Sequence, residues 1–212
     1  MPHLAAKEGS TTFASPQYPP PTPAEIDAFV RTQFCGRLIA ADADGYPCAS
    51  ILPFLREGER IEVHMVQADP TFAALRARGR GAFLVDEALA FTPHAVISER
   101  DGGFATLHFR AVLFRVQADI STEPAAVAGA LERLLHAYEG ELAWDTVADG
   151  PVYGERLRRL AVAQLRVVGV EAKFKVAQNR TPAERERLLA FLGKRGLPGD
   201  RVAAERIRAA GV

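Results

Sequence analysis

The residues best placed to do chemistry stand late in the chain, in the stretch 170–180, VEAKFKVAQNR. Lys173 and Lys175 occupy alternate positions, so on a strand they project from one face with Glu171, while Ala172, Phe174 and Val176 fill the other. Gln178, Asn179 and Arg180 follow at once, and Thr181-Pro182 opens a helix. Two lysines and two amides at the mouth of a strand are suited to holding an anion. The same pattern also describes a half-buried strand whose lysines are solvated or paired with nearby acids, and the residue types alone leave both readings open.

Other chemistry finds less support. The chain has two cysteines, Cys35 and Cys48, whose spacing matches no zinc signature and no disulfide framework. Their apolar surroundings predict buried free thiols. No two histidines stand at i, i+4, so a metal site is not expected. Ser50 lacks the elbow motif of a nucleophile. His64 shares a strand face with Glu62, His94 follows Pro93 in a loop, His108 lies in a long apolar strand, and Trp144 reads as a packing residue. No strand–helix–strand alternation carries a GxGxxG, which argues against a dinucleotide fold.

The elements that must position these residues follow from pattern. Hydrophobic residues make up 48% and charged residues 25% of 212, enough for a large globular domain with a real core. Thr22-Pro23-Ala24-Glu25 reads as a capped helix start. Strands are predicted over 36–43, 47–55 and 60–67, joined by tight turns at Asp44-Gly45 and Glu57-Gly58-Glu59, which makes them an antiparallel meander. Pro53 marks an edge or a bulge. A short helix over 70–78, capped by Asp69, precedes a strand over 82–91, a turn region over 92–103 and a strand over 104–120 that is apolar on both faces. Thr122 caps a helix to residue 140 with an apolar stripe of Leu131, Leu134, Leu135 and Tyr138. A short helix over 155–161, a last strand over 164–176 and two charged helices over 181–195 and 198–209 complete the chain. The fold class is α+β: an antiparallel β-barrel of about six strands with peripheral helices.

Formal net charge is zero, so nothing in bulk electrostatics recruits nucleic acid. The one modest basic cluster, Arg201, Arg206 and Arg208, has Asp200 and Glu205 beside it. No apolar run approaches the about 20 residues of a membrane span, and no charged flank precedes an apolar segment at the start. A cytoplasmic setting without membrane contact is expected.

Five pieces, 47–54 (PCASILPF), 64–70 (HMVQADP), 91–93 (FTP), 106–109 (TLHF) and 173–180 (KFKVAQNR), resemble in order and spacing the PaiB-like FMN-binding negative transcriptional regulators, relatives of the pyridoxamine-phosphate oxidases. The last piece is the most specific: it is similar to a family motif Lys-x-Lys-Leu-Ser-Gln-Asn-Arg, with Val176 and Ala177 in place of Leu and Ser. The resemblance implies an FMN-binding split β-barrel that forms a homodimer. It implies a flavin groove lined by Ser50, Ile51 and Leu52, by His64, Met65, Val66 and Gln67, by Thr106, and by Lys173, Lys175, Gln178 and Asn179. It divides the chain into a mobile N-terminal segment (1–17), the split-barrel domain with inserted helices (18–180) and a C-terminal helical tail packed on it (181–212). A weak flavin-dependent oxidoreductase activity and a regulatory role go with it.

Several positions depart from the family pattern. Where members read His-Val-Ala-Arg-Ala-Asn-Pro, this chain has Gln67 for the arginine and Asp69 for the asparagine. A fork suited to phosphate is lost and a negative charge is added. Ile51 replaces a histidine. Leu107, His108 and Phe109 replace Trp-Asn-Tyr, and His94, Ala95 and Val96 replace Ser-Trp-Tyr. The alternative expectation is therefore a divergent member that has lost flavin and acts as a regulatory or structural dimer, with a different small ligand or none; in the first reading the partner is flavin or a similar small ligand.

Overall fold

In the computed structural model, which describes residues 15–210, the elements run α1 (Pro23–Val30), β1 (Cys35–Ala41), β2 (Pro47–Pro53), β3 (Leu55–Glu57), β4 (Arg60–Val66), α2 (Pro70–Arg78), β5 (Arg80–Thr92), β6 (Thr106–Ser121), α3 (Pro124–Glu139), α4 (Gly154–Leu157), β7 (Leu160–Lys175), α5 (Pro182–Arg195) and α6 (Asp200–Ala209). Most of the segment expected to be mobile, 1–17, falls outside the described residues. No helix among those described is long and apolar enough to cross a membrane.

The seven strands form one sheet in the order β2-β1-β5-β6-β7-β4-β3. β1 pairs antiparallel with β2 and β5, and β4 with β3 and β7. The stretch read as one strand over 47–55 is in fact two, β2 and β3, parted at Phe54. Those two strands are the opposite edges of the sheet. A single intervening residue cannot cross an open sheet of seven strands about 4.8 Å apart, so the sheet curls and its edges meet. Pro53, which cannot donate to a ladder, ends the edge strand β2.

By contacts the chain forms two compact units. The first comprises Ala28–Val85 and Leu113–Val170 among the described residues, and is the barrel. Alternate residues of β1 and β4 (Leu38 and Ala40; Ile61, Val63 and Met65) are buried, as period-two strands require. Phe54 meets Phe83 edge to face at 5.1 Å. Gly36 makes room for Phe83: a Cβ there would lie 2.4 Å from its ring. The β1–β2 turn is tied by Asp42, whose Oδ1 accepts from Asp44 N and Tyr46 N, both at 2.9 Å.

The helices of this unit correct three expectations. α3 starts at Pro124 with Glu123, not Thr122, at the cap position, and no side chain caps it. Its buried face is Val127, Ala128 and Ala130, with Leu131 and Leu135 packed beside them, while Tyr138 is exposed and reaches the carbonyls of Phe34 (3.2 Å) and Phe54 (2.8 Å). The helix expected over 155–161 stops at Leu157, because Leu160 and Ala161 pair with Val66 and Met65 and start β7 early. Cys35 and Cys48 are free but half-buried rather than buried.

The second unit holds residues 15–27 and 171–210 with Asp86–Val112 between them. Leu188 and Leu192 of α5 and Ala203, Ala204 and Ile207 of α6 share a core with Leu89, Ala90, Val176 and Ala177. Thr181 and Glu184 form a capping box at the start of α5. Asp200, 2% exposed, is held by Arg195 (Nε to Oδ2, 2.9 Å) and Leu197 N (2.8 Å). The turn region over 92–103 contains two short 3-10 turns, His94–Val96 and Gly102–Phe104.

Gly199 lets α6 approach β5: a Cβ there would lie 2.0 Å from the Leu89 carbonyl oxygen, whereas one at Gly193 in α5 would meet nothing. Gly199→Ala should therefore lower stability by about 2 kcal/mol or more. Gly193→Ala should raise it by about 0.5–1 kcal/mol. Urea midpoints of the two variants against the parent check both signs.

Candidate functional site

In the barrel unit, the residues expected from β2 and β4 divide by which way the strands turn them. Ile51 is 67% and Val66 50% exposed, Leu52 is half-buried, and Met65 lies in the core at 3%. Ser50, half-buried on β2, reaches the start of α2. Its Oγ lies 2.7 Å from Asp69 Oδ2 and 2.8 Å from Thr71 Oγ1. One hydroxyl has one proton, so Ser50 donates to the carboxylate and accepts from Thr71. Asp69 is the N-cap of α2, and its Oδ1 accepts from Thr71 N at 2.7 Å. Burial alone would raise the Asp69 carboxyl, but the hydrogen bonds from Ser50 and Thr71 hold it below its usual value. The donors at this helix start thus face a fixed negative charge.

Gln67 is committed to the backbone. Its Nε2 donates to Arg158 O (3.0 Å) and Leu160 O (2.8 Å), and its N–H to Arg159 O (2.9 Å), pinning the beginning of β7 to the end of β4. His64 is half-buried; burial lowers its basicity and Glu62 opposes that. Glu62 is in turn gripped by both arms of Arg133 (3.0 and 2.6 Å) and by Gln164. Elsewhere in this unit a cleft of about 700 Å³ has a floor of Ile39, Ala82, Leu113 and Val168 and carries Arg78 and Arg80. Arg78 is spent on the Asp42 and Ala43 carbonyls.

In the second unit the end of β7 brings cations together. Lys173 and Lys175 both lie over the ring of Tyr18, at 5.4 and 5.6 Å, and Arg180 over the ring of Phe104, at 4.6 Å. Lys175 is less basic than usual, through burial and then the charges of Lys173 and Arg180. Gln178 wraps its own backbone: Oε1 accepts from Val176 N at 2.8 Å and Nε2 donates to Phe174 O. That clamp holds Ala177 at a φ of 61°, the one left-handed residue other than glycine among those described. Asn179 is exposed.

On β6 stand Thr106, expected in the groove, His108, read only as part of an apolar strand, and Arg110, which sequence reasoning passed over. Thr106, His108 and Arg110 alternate along it and share a face. Arg110 is paired with Glu87 (2.6 Å). His108 is 2% exposed, and its Nε2 lies 3.1 Å from Thr92 Oγ1. Its Nδ1 faces the Lys175 backbone without a hydrogen bond of good geometry, and Thr106 Oγ1 is likewise buried without a partner. Burial, then the charges of Lys175 and Arg180, lower His108 to about 4. The period-two spacing was the available signal, but an apolar strand conceals which polar residue lacks a partner.

Residues 12–171 match the sequence model of a family described as "Putative FMN-binding domain". Among solved structures, the chain resembles a conserved hypothetical protein of Mycobacterium tuberculosis at 18% identity and a TM-score of 0.56, covering 77% of this chain and 91% of that one. It resembles a flavocytochrome of Azotobacter vinelandii at 20% identity and 0.56, covering 72% and 67%. It also resembles a FAD and heme binding protein of Mycobacterium smegmatis at 17% identity and 0.54, covering 73% and 71%. At these identities the likeness is one of fold. Comparison with curated proteins finds no match.

Because folding holds His108 neutral, acid opposes folding. The folded chain protonates it near pH 4, whereas its ordinary value is 6.5. Between those values the unfolded state binds more protons, so this contribution is complete above about pH 6.5 and is lost as pH falls toward 4, by at most about 3 kcal/mol. Urea midpoints should fall from about pH 7 to about pH 5 more steeply in the parent than in His108→Gln.

Proposed function

The chain belongs to the PaiB-like FMN-binding family with a split-barrel fold, and we propose that its barrel binds a flavin mainly through the ring system. The observation that carries this reading is the pairing of exposed apolar Ile51 and Val66 with a closed polar knot at the neighbouring start of α2. The apolar side chains suit a flat ring. The knot does not suit a phosphate: Ser50 and Thr71 are turned onto Asp69, Gln67 is bound to carbonyls, and Asp69 keeps its charge. The ring part of FMN fits the barrel residues and the phosphate part does not. A flavin, when bound, supplies the electron chemistry itself, and weak oxidoreductase activity is part of the proposal.

A second reading is that the chain has lost flavin and serves as a regulatory or structural homodimer. The same Asp69 knot favours it, as do the outward-facing Val168 and Val170 of β7, 40% and 38% exposed, which suit contact with a second copy.

Flavin fluorescence titrations separate these readings. Asp69→Asn keeps a cap residue while removing the charge, so it should strengthen FMN binding about tenfold and leave riboflavin unchanged. If instead Arg80→Ala alone weakens FMN, the flavin lies in the cleft beside Arg80. If neither FMN nor riboflavin binds any form of the chain, the second reading stands.

A further inference from the structure

We propose that the space between the end of α3, the loop over 140–153 and α4, within the barrel unit, binds an α-amino acid with an aromatic side chain. The side chain enters an apolar cavity, the carboxylate meets Arg156 and the ammonium meets Glu139. The site does not rest on flavin binding, and none of its residues is among those expected to line the flavin groove.

The cavity has a volume of about 310 Å³, at the small end of the range for ligand pockets. Leu131 and Leu135 of α3, Val147, and the rings of Trp144 and Tyr153 line it. Aliphatic and aromatic walls around so small a space suit a single flat ring. The outer wall is a loop that is long for a compact domain and yet tied down. Glu132 of α3 accepts two hydrogen bonds from it, from Trp144 Nε1 at 3.1 Å and from Val147 N at 2.7 Å. His136 of α3 meets the Trp144 ring edge to face at 5.0 Å. The wall is therefore in place before a ligand arrives.

Two charged side chains border the same cavity, Glu139 and Arg156. Both are exposed, and neither side chain has an ion-pair partner among the described residues. Glu139 ends α3, where the helix dipole already disfavours negative charge, so a cation is wanted there. The planar fork of Arg156 suits a carboxylate. An apolar acid answers Arg156 but adds negative charge at the end of α3, and an apolar amine does the reverse. An amino acid carries both charges on the carbon that bears its side chain, and so answers the cavity and both rim groups together.

Trp144 is the one tryptophan of the chain, so its fluorescence reports on this cavity. The test is titration of the full chain, without flavin, with L-phenylalanine, phenylacetate and phenethylamine. Phenylalanine should give a saturable change in Trp144 fluorescence, and each single-charge analogue should bind about tenfold more weakly. Arg156→Gln should weaken phenylalanine and phenylacetate about tenfold and leave phenethylamine unchanged. Glu139→Gln should weaken phenylalanine and phenethylamine and leave phenylacetate unchanged. A fluorescence that does not saturate with phenylalanine overturns the proposal. So does an affinity for phenylalanine unchanged in either variant, or a single-charge analogue that binds as tightly as phenylalanine.

Discussion

Phe54 alone stands between β2 and β3, the two edges of the sheet. Everything in the barrel depends on that short span. Phe54 is 4% exposed, rests on Phe83, and lends its carbonyl to Tyr138 of α3. Gly36 is the condition for Phe83 being there at all. With the edges drawn together, β2 comes into contact with both β4 and α2. Ser50 can then reach Asp69 and Thr71, residues distant in sequence, and the polar knot at the start of α2 is a consequence of closure.

A net charge of zero conceals two opposite electrostatic arrangements. In the barrel, the negative charge of Asp69 consumes the donors that a helix N-terminus would otherwise offer to an anion. In the second unit, Lys173, Lys175 and Arg180 stand on aromatic rings with their charge uncompensated, beside a neutral histidine. Bulk charge says nothing of either. Each follows from which side chain the local fold places next to which.

Local signals made much of the fold legible. Thr22 with Glu25, Asp69 and Thr181 cap the helices they were expected to start. The Asp44-Gly45 turn and the alternation of Ile61, Val63 and Met65 also appear as read. What pattern could not show are contacts across the chain. The break at Phe54 is forced by closure, and β7 begins early because β4 recruits Leu160 and Ala161. For the candidate site, the sequence could name Gln67 and Gln178 as amides but not that both are spent on backbone groups. It could place His108 in a strand but not show that the ring would be buried between Thr92 and the Lys175 backbone.

The visible spectrum of the purified protein mixed with FMN and then freed of excess ligand tests the central claim most directly. A flavin band retained equally when riboflavin replaces FMN, and strengthened for FMN in Asp69→Asn, is what ring-dominated binding requires. A protein that emerges colourless from both the parent and Asp69→Asn, with no change in flavin fluorescence during the titration, contradicts it.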